Sequence, residues 1–407
     1  MERARLVVLD PGFRATHGHH FILNDMIAGE CRRRDMGLEL CAAQDASKAV
    51  LDHFAARPVF RHGPYTNFSR QSDYDILRTI SIASVAFEQD LNAAGLRLTP
   101  GDRLLVHTLT LRQLFGLYGW FSQLPAPRPP LAVVFRFPPW YFVEAYEREL
   151  AMDLQAYAFQ LWRKLPAGEV AFGADSRELV ELMSKSWQAP VAECPIPLAP
   201  PELSPETRPA PAQGGLHIVY AGEARPDKGF HLLSGALARG LARHPGLRFT
   251  IQSVNSGAKQ QAWLKEQFAA VAARTTFAFR ALGQVDYHRL IRSADAVLVA
   301  YDPRQYTYRT SHVFVDALAQ GKPVVYTARS WMDGEARILS AAGGPIGPRM
   351  TDFTEDALVE ALDELVARYD SYAAAAAAAA PGWRARHNIG AFFDALARLW
   401  GDGDGRA

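Results

Sequence analysis

The chain has 407 residues, more than a single hydrophobic core normally supports, so two domains are expected. Its 44 Lys and Arg nearly balance its 43 Asp and Glu, which argues against nucleic acid as a partner. The three cysteines, Cys31, Cys41 and Cys194, have no disulfide or metal-ligand spacing and fit a reducing cytoplasm. The opening run MERARLVVLD is too short for a signal-peptide core, and no apolar run reaches the ~18 residues of a membrane span. We therefore expect a cytoplasmic protein, soluble or peripheral at the inner face of the membrane.

Apolar runs of strand length alternate with helix-like stretches through the first half of the chain. Leu6–Leu9 is followed by a glycine-bearing loop and by a helix from about His20 to Arg34. Later runs have the same apolar character: Arg103–His107, Leu131–Phe135 and Val170–Gly173. Such alternation is typical of βαβ units, so we expect an open parallel sheet with helices around it.

Several polar residues of this half lie at the predicted strand ends, where parallel sheets bind ligands. Gly18 and His19 lie in the loop after the first strand, His107 ends another strand, and Arg136 directly follows a third. A histidine or arginine in such a place can also be structural, satisfied by a core neighbour or by a carboxylate at the strand end. The histidines of the first loop show no metal-ligand spacing, so no metal site is expected.

A proline-rich seam separates the first half from the second. Pro195–Gln213 holds seven prolines and almost no apolar periodicity, which predicts an extended linker. Beyond it, the alternation of strand-like and helix-like stretches is clearer and again predicts a parallel sheet. The strand-like runs are Leu216–Ala221, Leu247–Gln252, Thr276–Leu282, Ala296–Tyr301 and Pro323–Tyr326.

The tail is an alanine run followed by an amphipathic stretch. Tyr372–Ala380 is nearly pure alanine, and Pro381–Gly382 is expected to interrupt it before Trp383–Trp400, whose apolar residues recur at helical spacing. We therefore predict domains at 1–194 and 214–380, a linker at 195–213 and a final helix at 381–400.

One segment of the second half predicts a site for an anion. In Leu216–Gly229 an apolar strand runs into a tight turn at Gly222, and Arg225 and Lys228 follow just before a helix. Two cations are thereby aimed at whatever anion lies above the strand ends. The sequence Arg-Pro-Asp-Lys-Gly is also a good solvent-exposed turn, so this motif alone leaves a structural role open.

A second segment, Tyr308–Val325, predicts the facing wall of the same site. Thr310 or Ser311 is a candidate helix cap, and the free N–H groups at Ser311 and His312 would favour a phosphate. Asp316 lies five residues past Ser311 and can accept hydrogen bonds from a ribose diol. Two cations and a helix N-terminus suit a diphosphate without requiring a metal.

The order of these motifs resembles the donor domain of GT-B glycosyltransferases of the large retaining family 4 group. In this chain Gly222, Lys228 and Gly229 are followed by Gly283–Leu290 and by Asp316–Val324, matching the family's glycine-lysine, glycine-leucine and acidic-to-valine motifs in order. The first half resembles the family more weakly, in the loop Pro11–His20 and in Phe172–Met183. The resemblance implies an α/β GT-B fold with two Rossmann-like domains, an interdomain cleft, and a C-terminal crossover helix returning to the first domain.

The resemblance also implies roles for individual residues. Lys228 would contact the donor diphosphate and Asp316 the ribose. Glu223 occupies the family's arginine position, so Arg225 is the assumed replacement cation, and Tyr308 occupies the position of a glutamate that usually touches the transferred sugar. The residues expected at the donor are Gly222, Gln284, Val285, Tyr308, Arg309, Ser311, His312, Val313 and Asp316, with Arg225, Lys228 and Arg136 in catalysis.

The implied activity is transfer from a nucleotide-diphosphate sugar to a glycan or lipid-linked saccharide, as in polysaccharide biosynthesis, with retained configuration and without metal or cofactor. Gly18, His19 and His107 are expected on the acceptor side. Because Tyr308 replaces a family carboxylate, a sugar-nucleotide binder with impaired catalysis stays open, as does a nucleotide-sugar epimerase of related fold. A nicotinamide dehydrogenase is disfavoured, since no Gly-x-Gly-x-x-Gly follows either first strand.

Overall fold

The computed structural model describes residues 4–66, 76–143, 145–198, 215–254 and 258–402. The chain divides into two compact units, one formed by Met1–Pro197 with Ile389–Ala407 and the other by Leu198–Asn388. Most of the predicted linker at 195–213 lies outside the described residues, which stop at 198 and resume at 215.

Unit 1 is built on a seven-stranded parallel sheet with the strand order β3-β2-β1-β4-β5-β6-β7. The strands of this sheet are β1 (Arg5–Leu9), β2 (Gly37–Ala43), β3 (Arg57–Phe60), β4 (Arg103–Leu109), β5 (Leu131–Phe135), β6 (Val170–Ala174) and β7 (Ala192–Glu193). From Leu6 to Leu9, β1 is completely buried, as expected where helices cover both faces of a parallel sheet. An unbroken apolar run such as LVVL is what such a strand requires.

The helices of the first part of unit 1 alternate with these strands. They are α1 (Gly18–Arg33), α2 (Lys48–Phe54), α3 (Ile76–Ala94), α4 (Leu111–Ser122), α5 (Arg148–Trp162) and α6 (Arg177–Trp187). Helices α3 and α4 pack very closely, because a Cβ atom on Gly116 of α4 would lie 2.0 Å from the carbonyl oxygen of Ser84 in α3. Only glycine allows that approach at this position.

Unit 2 is built on a six-stranded parallel sheet with the strand order β10-β9-β8-β11-β12-β13. Its strands are β8 (His217–Ala221), β9 (Arg248–Gln252), β10 (Thr275–Ala278), β11 (Ala296–Val299), β12 (Val324–Thr327) and β13 (Arg349–Met350). Its helices are α7 (Phe230–Arg243), α8 (Ala258–Gln267), α9 (Gln284–Ser293), α10 (Pro303–Tyr306), α11 (His312–Ala319), α12 (Trp331–Gly343) and α13 (Glu355–Arg386). Among the helices of the described ranges, none is both long and apolar enough to cross a bilayer.

The predicted parallel sheets are confirmed, with differences at strand ends. The expected run Thr276–Leu282 forms strand only to Ala278, because the segment beyond it leaves the sheet before α9. Strands β2 and β3 were not predicted from apolar runs. Each strand carries one charged residue, Glu39 in β2 and Arg57 in β3, and these two pair with each other at 2.8 Å.

The predicted break at Pro381–Gly382 is wrong. Helix α13 continues through Pro381 to Arg386, and its one non-helical residue is Arg368, with φ −123° and ψ 18°. The turn after the proline is anchored by buried Trp383, whose Nε1 donates a hydrogen bond of 3.0 Å to the carbonyl of Val315. This tertiary contact keeps the helix intact although proline removes one backbone donor.

The final helix, α14 (Ile389–Leu399), therefore begins eight residues later than the predicted segment at 381–400. It belongs to unit 1, where it contacts α1 and strands β5, β6 and β7. Trp400 just beyond it donates a hydrogen bond of 3.0 Å from Nε1 to the carbonyl of Leu104 in β4.

Both sheets reverse their strand order beside their first strand. In unit 1 the chain proceeds outward from β1 to β3 and then returns to place β4 on the other side of β1, with Val8 opposite Leu105. In unit 2 it proceeds outward from β8 to β10 and then places β11 beside β8, with Tyr220 opposite Leu298. Parallel sheets bind ligands at the carboxyl ends of the two strands where this reversal occurs.

The close approach of α3 and α4 makes a stability prediction. Gly116→Ala should destabilise unit 1 by about 2 kcal/mol, because the new methyl group collides with backbone that cannot move aside. Gly29→Ala in α1 is the matched control: its Cβ would meet nothing nearer than the Arg32 guanidinium at 3.9 Å, so it should stabilise by up to ~1 kcal/mol. Calorimetric melting temperatures of the two variants check this, and equal melting temperatures would show that the helices are not closely packed.

Candidate active site

The turn after β8 brings the chain back over the end of β11. Gly222 has φ +133° and Gly229 has φ +71°, both in the region that favours glycine. A Cβ atom on Gly229 would lie 2.1 Å from the carbonyl oxygen of Ala300, just beyond β11. The two glycines therefore hold the intervening segment close against the carboxyl edge of the sheet, at the strand reversal.

Lys228 lies in this turn with its ammonium group above the strand ends. Its Nζ is 5.8 Å from the ring centroid of Tyr301 and 3.2 Å from where a Cβ of Gly222 would be. Among the described residues, Nζ has no hydrogen-bond or ion-pair partner. Burial, with Arg225 nearby, lowers the pKa of Lys228 to about 8. A half-buried ammonium without a carboxylate partner is suited to an anionic ligand.

Arg225 is held differently from Lys228. Its guanidinium contacts Asp227 at 2.9 and 3.0 Å, Glu223 at 3.1 Å and the hydroxyl of Tyr306 at 3.3 Å. Arg309 is buried, lies 3.5 Å from Asp227 and stacks over the ring of Tyr306 at 4.5 Å. Asp227 thus contacts both arginines. Carboxylates therefore already neutralise much of the positive charge that was expected to face an anionic ligand.

The N-terminus of α11 lies at the same edge of the sheet. Ser311 is its N-cap, and its hydroxyl oxygen accepts a hydrogen bond of 3.3 Å from the backbone N–H of Phe314. The hydroxyls of Ser311 and Tyr301 also share a hydrogen bond, and burial raises the pKa of Tyr301, which stays a neutral phenol. Tyr301 therefore links Lys228 to the start of α11, which brings the two predicted walls together in one site.

The other predicted donor residues differ in how deeply they are buried. His312 and Tyr308 are half-buried, and Val313 is buried in the first turn of α11. Gln284 and Val285 begin α9 after its N-cap Gly283, and Val285 is exposed.

Asp316 is packed against α9. Its carboxylate hydrogen-bonds Tyr287, and burial raises the pKa of Asp316 to about 7. The Nε2 atom of His288 lies 3.8 Å away, but burial lowers the pKa of that imidazole, so the two do not form a strong ion pair. A carboxyl group that is close to half protonated at neutral pH can both accept and donate hydrogen bonds.

The strand reversal of unit 1 holds a buried polar cluster around Asp10, the first residue after β1. The Nδ1 atom of His20 in α1 lies 2.8 and 3.0 Å from the two carboxylate oxygens of Asp10. Asn24 donates from Nδ2 at 2.7 Å, and the Nε2 atom of His107 in β4 lies 3.3 Å away. Burial alone would raise the pKa of Asp10, but His20 and His107 outweigh it and hold the pKa well below its usual value.

Sequence reasoning selected only part of this cluster. His107 is in it, whereas His19 is half-buried beside it and contacts the hydroxyl of Tyr65 at 3.2 Å. Gly18 starts α1 with φ +81° and no side chain. Asp10 and Asn24 were missed, and His20 was considered only together with the other histidines of the first loop. The available signal was that Asp10 ends the first strand, and that positions 20 and 24 share one face of a helix.

Two further predictions concern Arg136 and metals. Arg136 lies after β5 and bonds Asp175 at 3.1 Å through Nε, with its side chain 12% exposed, so the carboxylate-paired alternative is the one that the structure contains. Within the described ranges, Asp10, His20 and His107 present ligand atoms within 4.8 Å of one another, a set that can hold a metal ion. Loop spacing alone did not indicate this grouping, and the expected absence of a metal stays a prediction.

Part of the chain matches a known family. Residues 215–368 match the family model described as Glycosyl transferases group 1. A search of curated proteins gives no significant match.

Solved structures of similar fold cover nearly the whole chain. HepE of Anabaena, crystallised with UDP and glucose, is 16% identical with a TM-score of 0.60, over 97% of this chain and 99% of that one. WaaG, a glycosyltransferase involved in lipopolysaccharide biosynthesis, is 14% identical with a TM-score of 0.63, over 98% of this chain and 100% of that one. The α,α-trehalose 6-phosphate synthase of Burkholderia multivorans is 12% identical with a TM-score of 0.65, over 98% of both chains. We conclude that the chain has the GT-B fold of these solved structures and that its residues 215–368 match the family described as Glycosyl transferases group 1.

Proposed function

We propose that this protein transfers a sugar from a nucleotide-diphosphate sugar, bound by unit 2, to a glycan or lipid-linked saccharide. The observation that carries the proposal is the ammonium group of Lys228, which lies between Gly222 and Tyr301 without a partner among the described residues. It lies at the strand reversal of a unit that matches a glycosyltransferase family. Because HepE was crystallised with UDP and with UDP-glucose, uridine nucleotides are the first donors to test.

The chemistry follows from where charge develops. As the bond from the sugar to the diphosphate breaks, negative charge grows on the leaving oxygen. We expect Lys228 and the backbone N–H groups at the start of α11 to stabilise that charge. Retention of configuration, independence of metal and cofactor, a cytoplasmic location and peripheral membrane association stay predictions of the family resemblance.

A second candidate function is nucleotide-sugar binding without efficient transfer. It is favoured by Tyr308, which stands where the family has a carboxylate, and by the carboxylates around Arg225. Incubating the protein with nucleotide sugars and saccharide acceptors separates the two functions. A binder leaves the donor intact, whereas a transferase releases nucleoside diphosphate when the acceptor is added.

Lys228→Ala tests the donor site. We expect the affinity for UDP to fall by about 10- to 100-fold, since a charge-assisted hydrogen bond is worth roughly 1.5–3 kcal/mol. The melting temperature without nucleotide should hardly change, because the removed ammonium makes no hydrogen bond or ion pair with described residues. Isothermal titration with UDP and UDP-glucose measures the effect. Lys265→Ala, exposed on α8 of the same unit, is the matched control, and equal affinities for the two variants would remove Lys228 from the site.

Proton uptake on nucleotide binding gives an independent test of Lys228. Its pKa of about 8 means that about half of the free protein carries a neutral amine at pH 8. A bound diphosphate would raise that pKa, so binding at pH 8 should take up roughly half a proton, and affinity should fall as pH rises above 8. Titrations in buffers of different ionisation enthalpy measure the uptake. Lys228→Ala should abolish it, and wild-type uptake near zero would contradict the assignment.

The raised pKa of Asp316 leads to a prediction about the stability of unit 2. Burial raises its pKa to about 7, so the folded chain keeps a proton that the unfolded chain loses near pH 4, and stability falls as pH rises through this interval. Asp316→Asn removes the charge and keeps the acceptor for Tyr287. It should raise the stability of unit 2 at both pH values, by roughly 2–3 kcal/mol more at pH 8 than at pH 5, because each pKa unit is worth ~1.4 kcal/mol. Melting temperatures at both pH values check this, with exposed Asp370→Asn on α13 as control, and a gain that does not depend on pH would contradict it.

A further inference from the structure

The buried cluster at the carboxyl edge of unit 1 contains a nitrogen that faces two acceptors. The Nε2 atom of His107 lies 3.3 Å from a carboxylate oxygen of Asp10 and 3.2 Å from Oδ1 of Asn24. The amide nitrogen of Asn24 is used elsewhere, because Nδ2 donates to the Asp10 carboxylate at 2.7 Å. Two oxygens therefore converge on Nε2, and neither of them brings a proton to it.

The other ring nitrogen of His107 carries a proton. The hydroxyl oxygen of Thr108 lies 3.2 Å from Nδ1 and donates its own proton to the backbone carbonyl of His107 at 2.9 Å. The hydroxyl is therefore left to accept from Nδ1. In a neutral imidazole, Nε2 then holds a lone pair that points at two further acceptors. This arrangement requires a positive charge beside Nε2, either a second proton on the ring or a metal ion.

His20 presents a second imidazole nitrogen to the same carboxylate. Its Nδ1 atom lies 2.8 and 3.0 Å from the two oxygens of Asp10. Bonds of about 2 Å at tetrahedral angles place the ligands of a zinc ion about 3.3 Å from one another. The nitrogen–oxygen contacts of the cluster, between 2.8 and 3.3 Å, are close to that separation. The ligand atoms are thus already gathered at the spacing that a metal ion requires.

The cluster is closed to solvent and joins three elements of unit 1. Asp10 directly follows β1, His20 and Asn24 lie in α1, and His107 lies in β4. Asn24 is completely buried, Asp10 and His107 are 1% exposed, and His20 is 8% exposed. Structural metal sites are closed in this way, whereas catalytic ones keep a position open for water or substrate. An ion at this point links the first strand, the first helix and the strand beside the reversal.

We propose that Asp10, His20 and His107 bind a structural zinc ion, with Oδ1 of Asn24 as the fourth ligand. Two imidazoles with two oxygens suit zinc better than magnesium or calcium, which prefer oxygen ligands alone. Zinc replaces the proton that Nδ1 of His20 otherwise donates to Asp10. His107 keeps its second hydrogen bond, to Thr108, as zinc-bound histidines do.

This proposal departs from the prediction that the loop histidines, by their spacing, form no metal site. It does not rest on the proposed transfer reaction and gives the ion no part in it, since the ligands lie within unit 1 and the site is closed.

Metal binding by the full-length protein tests the site directly. After dialysis against a chelator, each chain should take up a single zinc ion with a Kd below about 1 µM. Cobalt in its place should give the intense visible bands of a four-coordinate site. X-ray absorption of the zinc-loaded protein should show two imidazoles with oxygen ligands and no sulfur. A chain that takes up no zinc would overturn the proposal and leave His107 protonated on both nitrogens, and sulfur ligands would overturn it in favour of the cysteines.

Asp10→Asn and His107→Gln test the named ligands. Loss of an outer-shell partner alone commonly costs about 10- to 100-fold in metal affinity, so loss of a ligand should cost at least about 100-fold. His53→Gln in α2 is the matched control, because it removes the imidazole of an exposed histidine–carboxylate pair, with Nε2 3.6 Å from Asp25. Competition with a chromophoric chelator measures the affinities. Equal zinc affinities for Asp10→Asn and His53→Gln would contradict the assignment.

Thermal unfolding of the wild-type protein gives a readout that needs no folded variant. Zinc should raise the melting temperature by mass action, because the unfolded chain does not hold these ligands together, and magnesium at the same concentration should not. A melting temperature that does not respond to zinc would overturn the structural role. Failure to bind nucleotide sugars would count against the proposed function alone, since zinc binding is measured without them.

Discussion

The constraint on which this structure depends is the burial of a parallel strand on both faces. Strands β1 and β8 need helices above and below them, and the chain can supply both sets only by reversing the order in which it adds strands. At the reversal, neighbouring connections leave toward opposite faces, which in such sheets opens a crevice at the strand ends. Each unit places an ionisable group with a shifted pKa there: Lys228 in unit 2 and Asp10 in unit 1.

The carboxyl edges of the two sheets differ in how the protein compensates a buried charge. In unit 1 a carboxylate is surrounded by donors, so its negative charge is satisfied within the protein and fixes the orientation of an imidazole. In unit 2, Asp227 and Glu223 hold Arg225, while Lys228 is left without such a partner among the residues described. Because burial disfavours its charged form, its ammonium is easier to deprotonate than that of an ordinary lysine, and it gains more from a phosphate than a carboxylate-paired arginine would.

The sequence was sufficient to predict structural features that depend on residues close to one another in the chain. The turn from Gly222 to Gly229, the cap at Ser311 and the sheets themselves follow from glycine, serine and apolar runs. It was insufficient where distant residues meet. Asp10 and His107 are almost a hundred positions apart and become neighbours only because β4 pairs with β1. The helix through Pro381 could not be predicted either, since the contact that preserves it is made by Trp383 with a distant backbone carbonyl.

The return of α14 to unit 1 has a consequence for biosynthesis. Phe392, Phe393 and Leu396 are buried in that unit, and the indole of Trp400 reaches the backbone of β4. The apolar surface that they cover belongs to strands β5, β6 and β7, which are translated long before α14. While the ribosome makes unit 2, this surface lacks its native cover, so the N-terminal half reaches its final state only once α14 has been made.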